Sequence, residues 1–112
     1  MAIATAPTAT LNLNGDGNLS EYIRLPPCRC SVGIKLVGAT VATAEGTIKF
    51  CSCVSSSDAS PDAMDAPQVP VAAAAVDDYA EILDVAGDYL VATWDQTTGQ
   101  DVDVTMTFTI KE

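Results

Sequence analysis

The four cysteines stand in two Cys-x-Cys pairs, Cys28-Arg-Cys30 and Cys51-Ser-Cys53. Residues two apart on a strand share a face, so each pair presents two thiols on one side. Were the two strands antiparallel neighbours, the pairs would face each other. Three chemistries then stay open for Cys28, Cys30, Cys51 and Cys53: buried thiols, disulfide cross-links, or a four-thiolate zinc site. One intervening residue is fewer than the usual zinc knuckle has. Strict alternation also puts Cys51 and Cys53 opposite the face of Ile48 and Phe50, unless a bulge intervenes. The chain has no histidine. That removes Ser-His and Cys-His catalysis, His-ligated zinc and an imidazole pH switch together.

A second constellation is Asn12-Leu-Asn-Gly-Asp-Gly-Asn-Leu-Ser-Glu-Tyr-Ile23. Asn12, Asn14 and Asp16 occupy positions one, three and five of an EF-hand-type calcium loop, with Gly17 at its sharp turn. Position one is Asn, however, and position twelve is Ile23, where a bidentate Glu should close the coordination. Asn-Gly and Asp-Gly also supply the positive φ angles that hairpin turns need, and a turn is the expected reading. Asp77, Asp78, Glu81 and Asp84 would permit carboxylate pairs of the glycosidase kind, but a chain with 15 acids contains such pairs by coincidence. Trp94, Tyr22, Tyr79 and Tyr89 read as core or interface aromatics. No phosphate-binding glycine loop is present. No enzyme activity and no cofactor are expected.

The elements that position these residues read as strands. From Asp101 to Lys111, Val102, Val104, Met106, Phe108 and Ile110 alternate with polar residues, a strand with one apolar face. Asp95 to Gln100 reads as a turn, and Asp88 to Trp94 as the strand before it, so the two runs are expected to form a hairpin. Cys28, Cys30, Val32, Ile34 and Leu36 form another alternation. Thr47 to Val54, Ala9 to Asn14 and Ser20 to Leu25 are further candidates, the last stopped by Pro26-Pro27. Val69 to Val85 admits a short helix, but its prolines and β-rich surroundings favour extended chain. The expected fold is all-β: one antiparallel sandwich of seven or eight strands, jelly-roll or immunoglobulin-like, with a closed Greek-key barrel as the alternative. Residues 1–9 read as an N-terminal arm, and 55–67 as a long polar loop.

Charge is divided along the chain. Residues 1–50 hold four bases and three acids, whereas 51–110 hold eleven acids and no base, within a total of −10. Such acidity disfavours nucleic acid and anionic membranes, and suits a solvated face or a basic protein surface. The N-terminus has no basic region followed by an apolar run, and no segment approaches the length of a membrane helix, so a soluble protein made in a reducing cytosol is expected, the host cytoplasm on the resemblance given next.

Three segments resemble the small β-sandwich virion proteins of tailed bacteriophages, the capsid decoration or cement type. They are Ala9 to Asn14 followed by Leu19 to Leu25; Gly46 to Val54 entering the Ser/Asp loop; and Val69 to Ala72 leading through Gly87 to Val91 into Val102 to Lys111. Gly87-x-Tyr89 is also similar to the tyrosine corner of immunoglobulin-like sandwiches, although Val85 stands where an acid is expected. The resemblance implies a non-enzymatic virion component that binds the major capsid protein or other virion proteins at the head surface. It also implies a homo-oligomer, often a trimer. A tail, neck, fibre or receptor-binding module would use the same fold, and a secreted calcium-dependent adhesion module is a further alternative. On this reading the interface falls on Met1, Ala2, Ile3, Ala4, Thr5, Ala6 and Pro7, and on Met64, Pro67, Val69 and Pro70 around the polar loop.

Overall fold

The structure is a computed structural model that describes residues 7–25, 30–40, 45–57, 61, 68–71, 75–85, 88–98 and 102–111. For 30, 37–40, 75–85 and 111 it is described by backbone alone. These residues form eight strands and no helix: β1 (Thr8–Asn12), β2 (Ile23–Arg24), β3 (Cys30–Thr40), β4 (Glu45–Cys53), β5 (Val69–Val71), β6 (Ala75–Val85), β7 (Tyr89–Thr98) and β8 (Asp103–Lys111). The extended reading of Val69 to Val85 holds, as β5 and β6.

Two four-stranded antiparallel sheets result, one in the order β1-β8-β3-β6 and the other β2-β7-β4-β5. First pairs with last, second with seventh, third with sixth and fourth with fifth. This is one long double-stranded ribbon rolled up so that its segments fall alternately in the two sheets. Of the two sandwich types expected, the order is that of the jelly roll. Among the described strands, only β4 and β5 are both consecutive in the chain and paired.

The period-two pattern sets which face meets the core. Val104, Met106, Phe108 and Ile110 of β8 are buried, as are Val32, Ile34 and Leu36 of β3, while Asp103, Thr105 and Lys35 are exposed. From the second sheet come Ile48, Phe50, Leu90, Ala92 and Trp94, and the two inner faces make one continuous core. β-Branched and aromatic residues dominate it, as a pleated surface packed on one side favours.

Two expectations are corrected. β7 and β8 do not form a hairpin: β7 pairs with β2 and β4, and β8 with β1 and β3, in different sheets. The turn expected from Asp95 is displaced as well, because β7 continues to Thr98. Gly46 lies opposite Gln96 and Glu45 opposite Thr98, so the ladder absorbs an extra residue as a bulge there.

Candidate functional site

Three regions hold the residues with chemical potential. The first is the segment between β1 and β2. Gly15 and Gly17 have φ of 94° and 82°, the left-handed backbone region that glycine enters without penalty. Asn12 Oδ1 accepts from the Asn14 amide at 2.7 Å and from Asn18 Nδ2 at 3.3 Å. Asn12 Nδ2 donates to Asp103 Oδ1 at 3.1 Å, and Asn18 Nδ2 also donates to the Asn14 carbonyl. The far side of the turn is held by β7. The Gln96 amide donates to Asp16 Oδ1 at 3.0 Å, and Gln96 Oε1 accepts from the Gly15 amide at 2.6 Å and from Trp94 Nε1 at 3.1 Å. Gly17 N donates to the Trp94 carbonyl at 2.8 Å, and Trp94 N to the Asn18 carbonyl at 3.0 Å. The side-chain oxygens proposed for calcium at Asn12 and Asp16 therefore accept protein hydrogen bonds. Extended chain stands where an EF-hand has helices. The segment is a turn clamped to β7.

The second region is the outer face of the β2-β7-β4-β5 sheet. Cys51 lies opposite Val91 and Cys53 opposite Tyr89. Cys51 and Val91 are wholly buried yet separate from the main core, as alternation places them. Cys53 is half-buried, and its thiol donates to the Ser55 carbonyl at 3.3 Å. The facing arrangement of two Cys-x-Cys strands is not formed as a ladder, because β3 and β4 belong to different sheets. Cys28 lies outside the described residues, and Cys30 is placed by backbone only, opposite Val85. Among the described residues no three metal-ligating side chains gather. Beside Cys53, Tyr22 and Tyr89 meet edge to face at 6.4 Å, and the Arg24 guanidinium lies 5.5 Å from the Tyr89 ring centre and donates to its hydroxyl at 3.1 Å. Lys49 Nζ lies 2.8 Å from Asp95 Oδ2, and that hydrogen bond and charge hold its pKa above the ordinary lysine value. Being solvated, the pair adds little to stability.

The third region is the expected interface. Residues 1–6, Met64 and Pro67 lie outside the described residues, as do 58–60, 62–66 and 72–74 of the loop and its surroundings. Pro7 is half-buried, and its carbonyl accepts from the Phe108 amide at 3.0 Å. The arm boundary at residue 9 is corrected: β1 begins at Thr8, and Ala9 is a core residue. Val69 is corrected too, since it is buried in the core, whereas its neighbour Pro70 is exposed. Asp77, Asp78, Glu81 and Asp84 lie on β6, an edge strand.

Sequence reasoning missed Ser20. It is buried, and its hydroxyl accepts from the Ala92 amide at 3.0 Å while donating to the Glu21 carbonyl at 2.9 Å. Its position between Asn18 and Ile23, both bonded to β7, is visible only once the two runs are paired. No family model matches the chain, and no curated protein matches it.

Proposed function

We propose that the protein is a non-enzymatic virion component of the decoration or cement type, mounted on the head lattice of a tailed bacteriophage. The strand order is the observation that carries this reading: a small eight-stranded jelly roll is an architecture used by virus shells, though also by lectins and cupins. The sequence resemblance supplies the choice among these. Supporting it, Asn12 Oδ1 and Asp16 Oδ1 of the candidate calcium turn accept protein hydrogen bonds, the latter from the Gln96 amide of β7, as suits a structural turn. The concentration of acid after residue 50 suits a mount on a basic protein surface.

In this reading the uncharged segment Met1 to Ala6 reaches across a lattice neighbour, and many weak contacts sum over the shell. Removal of residues 1–6 tests this. The cut spares Pro7, its bond to Phe108 and all of β1. The expected result is loss of binding to purified heads with an unchanged melting curve. Wild-type occupancy by the truncated chain would overturn the role of the arm.

A further inference from the structure

The chain holds one Asn-Gly pair and one Asp-Gly pair, Asn14-Gly15 and Asp16-Gly17, and both fall in the turn between β1 and β2. In such pairs the glycine amide can attack the preceding side chain, because glycine has no Cβ to obstruct the approach. Asn14 and Asp16 are exposed, so water and hydroxide reach both. The reaction at Asn14 needs water alone. The Gly15 nitrogen gives its proton to hydroxide and attacks Asn14 Cγ. The N–Cγ bond forms, the Cγ–Nδ2 bond breaks, and ammonia leaves with a proton from water. A second step opens the succinimide at either carbonyl by adding water, leaving aspartate or isoaspartate. The balance is one water consumed for one ammonia released.

The fold holds both attacking amides. The Gly15 amide donates to Gln96 Oε1 at 2.6 Å and the Gly17 amide to the Trp94 carbonyl at 2.8 Å, so β7 takes both. An amide whose hydrogen lies on an acceptor surrenders it to hydroxide only when that bond opens, as in hydrogen exchange. Asn14 is also fixed on either side. Its amide donates to Asn12 Oδ1 at 2.7 Å, and its carbonyl accepts from Asn18 Nδ2. The two locks differ in kind. Gly17 is held by the main chain of a strand that lies inside its sheet. Gly15 is held by one side chain, which Trp94 Nε1 steadies at 3.1 Å. Freeing Gly17 requires β7 to part from the turn, whereas rotation of Gln96 frees Gly15.

We infer that Asn14 is a site of spontaneous covalent modification, deamidation through a succinimide, and that Gln96 sets its rate by holding the Gly15 amide. The product does not return to the starting turn. Isoaspartate carries one more methylene in the main chain, which displaces the Gly15 amide from Gln96. It also adds a carboxylate two residues from Asp16 in a chain already at −10. Asp16-Gly17 can form the same succinimide by losing water, but its amide stays under the stronger lock. The pair thus serves as an internal reference for opening of the whole turn.

Incubation of the full chain in mildly alkaline buffer, followed by peptide mapping with mass spectrometry, tests this independently of any virion. The native wild type should deamidate at Asn14 more slowly than the same chain in denaturant. Gln96→Leu should raise the native rate about 2- to 12-fold, the shift in opening that one lost hydrogen bond gives. Isomerisation at Asp16 should keep its wild-type rate in that variant, because Trp94 still holds Gly17. Gln96→Glu retains an acceptor oxygen and should deamidate no faster than the wild type. Should Gln96→Leu fail to fold, hydrogen exchange of the wild-type Gly15 amide decides: it should be protected by a factor similar to the slowing of deamidation. An unprotected amide, a Gln96→Leu rate equal to wild type, equal acceleration at Asn14 and Asp16, or equal native and denatured rates would each overturn the inference.

Discussion

Trp94 lies against the backbone of Gly46. A Cβ at Gly46 would stand 2.8 Å from Trp94 Cη2 and 2.9 Å from Cζ2, and would also press on the Asp95 carbonyl. β4 and β7 thus approach at a point that only glycine fits, next to the bulge between Glu45 and Gly46. Gly46→Ala should cost about 1–3 kcal/mol by overpacking. Chemical denaturation measures it. Combined with Trp94→Phe, which clears the ring but not the carbonyl, the losses should be less than additive.

Ser20 takes the place of a ladder partner for the Ala92 amide. Ser20→Ala buries that amide without an acceptor, at about 1–3 kcal/mol. The melting temperature should fall by roughly 4–12 °C for a domain of this size. Ser20→Thr keeps the hydroxyl and should restore most of the loss; equal losses in both variants would contradict the assigned bond.

The turn at Asn12–Asn18 should respond to backbone changes and not to calcium. Gly15→Ala and Gly17→Ala each force a side chain into the left-handed region, at about 1–2 kcal/mol. Millimolar calcium should leave the melting temperature unchanged, because Asn12 and Ile23 stand where the first acid and the closing bidentate Glu of a calcium loop are needed. A calcium-dependent rise would return the loop to the ligand-binding reading.

Thiol reactivity should separate the two cysteines of β4. Cys53 is half-buried and Cys51 fully enclosed beside Val91. Peptide mapping after alkylation of the native protein should find Cys53 modified well before Cys51, with the difference erased in denaturant. Equal native rates would contradict the burial of Cys51.

Strand character was legible wherever polar and apolar residues alternate: the inward faces of β3 and β8 follow directly from Val32, Ile34 and Leu36 and from Val104 to Ile110. Pairing was not. A jelly roll puts β1 beside β8 and β2 beside β7, so the partners of a strand lie most of the chain away, and adjacency of Trp94 and Val102 in sequence suggests a hairpin that does not exist. Gln96 and Thr97 look like turn residues because nothing apolar marks them, yet Gln96 serves the strand by bonding the Gly15 amide and the Trp94 indole. Glycine-rich spacing foretold the turn at residues 14–17; it held no sign that β7 would supply its partners.

The proposed virion role is tested most directly by the copy number of this chain on washed, purified particles of the phage that the proposal takes to encode it, by quantitative mass spectrometry. The decoration reading predicts copies in fixed proportion to the major capsid protein across the whole head. A few copies confined to one vertex would move the protein to the tail or neck, and absence from washed particles would contradict a virion role altogether.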